Sequence, residues 1–405
     1  MRKSCIAIVF LLLVANITGC RKSILPQRKE IGDLQLIQVI GVDKLSEDTD
    51  NFMLTVASRN LEEGSGQQTS GGTGEKAGGD AQKAIVLTSR GKTIFEAVRK
   101  LQTHSNKTLF WGHAEYYLIG EEAARDNIAK YIDFFTRDHE LRIESKVYIV
   151  RGSTAKDLIE KYNQGDFYIF NKLEILGQNL KLMSNSEEMR VHDLMRLVDI
   201  HHESARAPCI RLTDRDNLEG KKVKDIEICG YAIFANLKLV GFIDIDVSRG
   251  LNLITNNVGS SIVVVKDLNG QNVSLEIIDS NTEVIPFFSG DSLESVTLKT
   301  KVISNIGEIH SQIDIVDEKL ISHLESQLSE ILKNEMEEVL KKVLDFKSDC
   351  LEICDRIRLK RPLKWHKIEE QWMEILPDIK FNIQVESKIQ RSYETREHSG
   401  SIGRE

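Results

Sequence analysis

The sequence predicts an α+β fold, a mixed α/β architecture in three successive domains. Three observations predict it. Between residues 34 and 150, short strand-like apolar runs alternate with helical periodicity. From about residue 226 to 279 the chain changes to short β-branched-rich runs, punctuated by Asn236, Gly250, Asn257, Gly259 and Asn269-Gly270. Residues 317–346 then form one long amphipathic helix with a strand pattern on each side.

The elements follow in order. Residues 34–42 (LQLIQVIGV) make a strand that ends before Asp43, and 51–58 continue with Phe52, Leu54 and Val56 in the alternation of a half-buried strand. Residues 62–82 are rich in Gly, Ser, Thr and Gln, lack the apolar side chains to order, and predict a flexible loop inside one domain. A strand over 84–89 turns at Gly91-Lys92-Thr93 into a helix over 94–102, with Ile94, Val98 and Leu101 on one face. Residues 111–119 predict a further strand and 121–137 a helix whose stripe is Ala124, Ile128, Tyr131, Ile132 and Phe135. A strand over 146–150 and helices over 154–163 and 187–200 complete the first domain, with irregular chain between the two helices.

Short runs at 226–234, 238–246, 251–256, 261–266 and 273–279 predict a mostly antiparallel region. A strand over 295–306 leads to the long helix, whose apolar face is Leu320, Leu324, Leu328, Leu332, Val339 and Val343. Helical sequence surrounds Trp365 and Trp372 until Pro377 stops it, and 381–389 is a last strand. The expected domains are an α/β domain at 29–200, a β-rich domain at 201–290 and an α+β domain at 291–395, with a disordered tail at 396–405.

The first residues are built differently. Met1-Arg2-Lys3 is a basic start, and residues 6–15 are a continuous apolar run. A helix of that length rises only about 15 Å, half of a bilayer core, so residues 1–19 predict a signal peptide rather than a span. The run ends in Ile17-Thr18-Gly19-Cys20, which resembles the bacterial lipobox. The resemblance implies diacylglycerol on the Cys20 sulfur and cleavage after Gly19, with 20–28 as a lipidated tether. Two acyl chains give the stable anchoring that one does not.

Composition bounds the rest. The 405 residues are 41% hydrophobic and 29% charged, as in globular bodies. The net charge is −8, and loss of Arg2 and Lys3 with the signal leaves −10, which argues against a nucleic-acid partner. Apart from Cys5 and Cys20, the cysteines are Cys209, Cys229, Cys350 and Cys354, with no C-x-x-C pair. Cys350 and Cys354 are four apart, so on a helix they would share one face, and two small buried apolar residues is the favoured reading over a metal or redox pair.

The search for chemistry finds little. Ser89-Arg90-Gly91-Lys92 fits the acyl-enzyme spacing S-x-x-K, yet neither S-D-N nor K-T-G accompanies it, and a strand-to-helix turn explains it better. His201-His202-Glu203 with His192 are metal-ligand types, but adjacent histidines rarely turn onto one ion, and a polar interdomain linker is favoured. His113 reads as a buried, hydrogen-bonded histidine ahead of a general base. P-loop, G-x-G-x-x-G and H-E-x-x-H patterns are absent from the sequence. No catalytic, cofactor-binding or metal residue is expected, and the chain reads as a non-enzymatic binding body.

One family pattern recurs along the chain. Gly91-Lys92-Thr93 with Glu96-Ala97 and Arg99, Gly112-His113 before Gly120-Glu121-Glu122-Ala123, and Phe134-Phe135 with Arg137-Asp138 and Arg142 stand in the order of the Ger(x)C family. So do Arg28-Lys29-Glu30-Ile31, Gly41-Val42-Asp43, Gly230-Tyr231-Ala232-Ile233-Phe234, Leu239-Val240-Gly241 and the segment from Trp365 to Pro377. The chain resembles this family, the C subunits of spore germinant receptors, over nearly its whole mature length. It departs from the pattern at Arg21, where the family often has an aromatic residue, and in its Gly-rich insertion. The resemblance implies a three-domain lipoprotein on the outer face of the spore inner membrane, in a complex with two membrane subunits, A and B, that responds to small nutrients and triggers germination. It implies no cofactor. An extracytoplasmic solute-binding lipoprotein of a transporter is the alternative, a class with two similar lobes, whereas here the two ends differ.

Overall fold

The structure, a computed structural model, describes residues 31–46, 49–59, 84–137, 140–163, 168–200, 202–216, 220–309 and 318–392. The expected signal peptide, Cys20, its tether, the 62–82 loop, His201 and the 396–405 tail lie outside them.

Among the described residues the first sheet has nine strands: β1 (Leu34–Ser46), β2 (Thr49–Arg59), β3 (Ala84–Gly91), β4 (Thr108–Phe110), β5 (Tyr116–Gly120), β6 (Lys146–Val150), β7 (Ala205–Asp216), β8 (Lys222–Ala235) and β9 (Lys238–Asp244). Their order is β3-β2-β1-β5-β6-β7-β8-β9, with β4 paired to β1. The centre, β1-β5-β6-β7, is parallel and the two wings are antiparallel. Every residue of β5 is buried, because helices cover both faces of a parallel centre. On one face α1 (Ile94–Thr103), α2 (Glu121–Asp126), α3 (Ile128–Arg137) and α6 (Val191–Ile200) pack on Ile37, Val56, Tyr117 and Ile149. On the other, α4 (Ala155–Tyr162) and α5 (Ile169–Met183) pack on Val39, Leu118, Tyr148 and Val150. Successive residues of each strand thus alternate between two cores.

The second sheet has, among the described residues, four strands in the order β10-β11-β12-β13: β10 (Ser261–Lys266), β11 (Asn272–Ser289), β12 (Ser292–Ile309) and β13 (Lys380–Ser392). β12 and β13 are parallel, and the connection between them carries α8 (Glu318–Asp345), α9 (Ile353–Lys360), α10 (Pro362–Trp365) and α11 (Trp372–Ile375). Among the described residues helices cover only one face. Val296, Leu298, Thr300 and Val302 point into the core, while Thr297, Lys299 and Lys301 alternate with them and are half-buried or exposed. The stripe of α8, with Leu320, Leu324, Leu328, Leu332, Met336, Val339 and Val343, lies on the inner face. Burial of each large side chain there contributes about 2 kcal/mol. The edge of β10 is capped by side chains: Arg249 donates to the Ile262 carbonyl (3.1 Å), and the Gln327 amide bonds to Lys266 N–H and C=O (3.1 and 2.7 Å). Such capping removes a template for strand addition.

Several elements differ from the sequence pattern. Residues 111–119 are not all strand: a 3-10 turn, Trp111–His113, precedes β5 and is closed by Ala114 N–H on the Trp111 carbonyl (2.9 Å). His113 is therefore exposed, its ring 5.6 Å from that of Phe110, and is not the buried histidine expected. The helix over 121–137 breaks at Asn127, whose extended backbone starts α3 and whose side chain accepts from Ala129 N–H (2.9 Å). Residues 169–183, expected to be irregular, form α5. Ile169, Leu173 and Leu180 are buried but Ile175, Leu182 and Met183 are exposed, so apolar residues on both sides blur the helical period. Residues 251–256, expected to be a strand, belong to a helix, α7 (Ser248–Thr255), buried nearly all round. A short apolar run does not separate a buried helix from a buried strand.

β7 has no counterpart in the sequence pattern, and β11 extends well past its expected end at 279. The expected boundaries at 200/201 and 290/291 do not follow the sheets. β7, β8 and β9 continue the first sheet through main-chain pairing, and the hairpin β11–β12 turns across residue 290. β8 and β9 also lend Tyr231, Ile233 and Ile243 to the core beneath the second sheet, so one antiparallel wing serves both halves.

Candidate functional site

The carboxyl ends of β1, β5 and β6 are where an open α/β sheet receives ligands. Here the chain's own groups fill that edge. Asp43, at the end of the buried part of β1, accepts from Ala155 N–H (2.7 Å) and Lys156 N–H (2.9 Å) at the start of α4. Thr154 caps the same helix through Asp157 N–H (3.0 Å). A Cβ at Gly120 would stand 2.0 Å from an Asp43 carboxylate oxygen, so the close approach requires glycine there. Glu121 closes the edge by accepting from Gly152 N–H (2.6 Å) and pairing with Arg125 (2.6 Å). Burial raises the Asp43 carboxyl, the N–H bonds from Lys156 and Ala155 oppose this, and the net result is about 6.

The other singled-out residues are engaged in structure. Ser89 is buried and its hydroxyl donates to the Ala97 carbonyl (2.6 Å). Thr93 accepts from Glu96 N–H (3.0 Å), and Glu96 reaches back to Lys92 N–H (2.7 Å), so the S-x-x-K stretch is a helix-capping turn. His192 lies near Glu144 and Asp193 (3.6 and 3.3 Å), whereas His202 sits in the left-handed region with its ring 6.2 Å from Trp365. Among the described residues no group of three or more His, Cys, Asp or Glu is placed to hold a metal ion. Cys350 and Cys354 are buried, and burial pushes the Cys350 thiol up to about 12.

Sequence reasoning missed a seam between the two halves. Arg206 on β7 is buried, with its guanidinium on Glu187 (2.7 Å), Glu352 (2.9 Å) and the Cys350 carbonyl (2.7 Å). Burial works against its charge, but Glu187 and Glu352 outweigh that and hold the group above its ordinary range. Ser348 donates to the Phe234 carbonyl (2.7 Å), and Tyr231 to the Asn252 side chain (2.5 Å). Gly230, in the middle of the wing, has φ +100°, and a Cβ there would meet the Ile243 carbonyl at 2.1 Å. Beyond the seam, Asp349 accepts from Ile353 N–H (2.9 Å), Cys354 N–H (2.8 Å) and the Trp372 indole (2.9 Å). The only sequence signal for Arg206 was a charge inside an otherwise apolar stretch, Ala205 to Ile210. The structure also brings the Cys209 and Cys229 thiols together on β7 and β8.

Surface clefts are also present among the described residues. One of about 480 Å³ is lined by Phe52, Phe95, Phe134 and Lys130, and one of about 520 Å³ by His202, Cys354, Arg358 and Trp365. Among the described residues no helix is long and apolar enough to cross a membrane.

The chain is similar in sequence to known proteins along most of its length. Residues 27–212 match the family model described as the spore germination protein N-terminal domain, and 229–393 the one described as spore germination B3/GerAC like, C-terminal. The first match ends in β7 and the second begins within β8, so the second half of β8 and all of β9 belong by sequence to the second part and by hydrogen bonding to the first sheet. Spore germination protein KC of Bacillus subtilis (strain 168) is 22% identical over 97% of this chain and 96% of its own length. Spore germination protein B3 of the same organism is 24% identical over 75% of this chain and 80% of its own length. The crystal structure of the GerBC protein superposes with a TM-score of 0.55 at 21% identity, covering 86% of this chain and 96% of that one, a likeness of fold. With both family domains present in order, the chain belongs to the Ger(x)C, or GerAC-like, family of spore germination proteins.

Proposed function

We propose that this chain is an exported lipoprotein serving as the C subunit of a membrane germinant receptor. In this reading residues 1–19 are removed, Cys20 carries diacylglycerol, and the body sits on the outer face of the spore inner membrane beside membrane subunits A and B. The complex responds to small nutrients and triggers germination, and this subunit acts by binding rather than by catalysis.

The observation that carries the reading is the family match from residue 27 to 393, read together with the lipobox-like Ile17-Thr18-Gly19-Cys20. Two further observations support it. The sheet edge that would receive a small molecule is occupied by Asp43 and Glu121. The two sheets differ in size and order, which does not match the paired lobes of a solute-binding protein.

The test is complementation. Spores lacking the gene should lose germination in particular nutrients and regain it with the wild-type chain, whereas Cys20→Ala should fold but not restore it. Unaltered germination of the deletion strain across a nutrient panel would count against the receptor role. Full rescue by Cys20→Ala would separate the role from the anchor.

A further inference from the structure

Arg356 to Lys367 (RIRLKRPLKWHK) holds six basic residues and no acid, in a chain of net charge −8. The stretch forms α9 and α10, which present two leucines to solvent: Leu359 is 72% and Leu363 84% exposed. Ile357 and Trp365 are the buried residues that hold the segment against the second core. The leucines are therefore not spare core residues. They sit on the opposite side of an element whose inner side is already packed.

Bases surround them. Lys360 pairs with Glu283, Lys364 with Asp291 (2.8 Å) and with the Gly290 carbonyl (2.8 Å), and Lys367 with Asp291 (2.7 Å). These contacts lay α9 and α10 alongside residues 283–291 of the β11–β12 hairpin, which carries Phe287, 59% exposed, and Ile285. Arg358 pairs with Asp355, and Arg361 is exposed two residues before Leu363.

We infer that this face docks on the anionic phospholipid surface of the membrane that bears the lipid anchor. Exposed aliphatic side chains rimmed by Lys and Arg are the composition of elements that lie in a bilayer interface. Protein interfaces, by contrast, are depleted in Lys and favour aromatic anchors. Basic groups gain from anionic headgroups, and ion pairs between exposed side chains are weak, so lysines exchange Asp291 and Glu283 for lipid phosphate at little cost. The inference rests on the lipid-anchor reading, which supplies the bilayer. The chain between Cys20 and Ile31 reaches at most about 40 Å, comparable with the diameter of a body of this size. Tethering at that distance raises the local concentration of membrane, so a weak face suffices. Docking would orient the body and fix which surfaces it offers to membrane partners.

The experiment uses the lipidated chain carrying Leu363→Trp, on vesicles of phosphatidylcholine with brominated acyl chains, with and without phosphatidylglycerol. The parent protein, whose Trp111, Trp365 and Trp372 are buried, gives the background. Flotation with pure phosphatidylcholine tests the anchor. Quenching of the introduced indole tests the face. The expected result is flotation in both cases, with quenching several-fold stronger when phosphatidylglycerol is present. That gain should vanish when Lys360→Glu, Arg361→Glu and Lys364→Glu are added. Flotation without quenching overturns the docking face and leaves the anchor standing. Failure to float overturns the anchor reading and this inference with it. Shielding of the indole only when the membrane subunits are co-reconstituted makes the face a protein contact and overturns the lipid assignment.

Discussion

Each half of the molecule buries an aspartate under the start of a helix, and the two sites differ in their donors. In the first sheet Asp43 meets two backbone N–H groups of α4. In the second half Asp349 meets two N–H groups of α9 and also the Trp372 indole. Between them, at the seam, Arg206 is buried among two carboxylates and a carbonyl. The difference teaches how each buried charge is tolerated. Burial outweighs the backbone N–H donors and leaves the Asp43 carboxyl raised to about 6, whereas opposite charges keep Arg206 firmly ionised. The coverage of the sheets differs in the same sense. The first has helices on both faces; among the described residues the second has helices on one face only, with the outer sides of α9, α10 and the β11–β12 hairpin exposed beside it.

The largest expected effect is at the seam. Arg206→Met removes the cation that Glu187 and Glu352 share, although Arg196 still stands 3.8 Å from Glu352, and should cost about 3–5 kcal/mol. Denaturant unfolding measures it, and Glu352→Gln in the same background should recover part of the loss, since the sites are in contact. A loss under about 1 kcal/mol would mean that the guanidinium is not the fastening between the halves.

The next effect is a pH dependence at Asp43. The folded carboxyl titrates at about 6 and the ordinary value is 3.8, so between these values the folded state binds more protons than the unfolded one. Stability from this group is therefore fully present below about 4 and is lost as pH rises through 6, by about 2–3 kcal/mol. Relative to Asp43→Asn, the wild type should gain stability when acidified from pH 7 to pH 4.5. Parallel stability profiles for the two proteins would mean that burial does not raise the Asp43 carboxyl.

The smallest of the three is Trp372→Phe, which keeps the ring in the core but takes the indole donor from Asp349. The expected cost is about 1–2 kcal/mol, read by denaturant unfolding. A change within error would mean that the two backbone donors suffice, and that the contrast with Asp43 lies elsewhere.

Much of the local structure was determined by the sequence alone. The helix over 94–102 carries its own capping signals at Thr93 and Glu96, the α8 stripe is legible at four-residue spacing, and the β5 run is apolar throughout. These depend on neighbours a few residues away, which a linear pattern records. The family pattern was legible for the same reason, and its residues have physical roles: Asp43 and Gly120 meet at one helix start, and Gly230 turns the wing where no Cβ fits. Tertiary structure decided the remainder. Whether 251–256 became helix or strand, and that Arg206 fastens two halves, both depend on partners brought from far along the chain. Arg206 and Glu352 are 146 residues apart in sequence, and no periodicity encodes their meeting. The sheet to which β7–β9 belong was likewise settled by pairing with β6, because an alternating strand pattern states which face is buried but not which strand lies beside it.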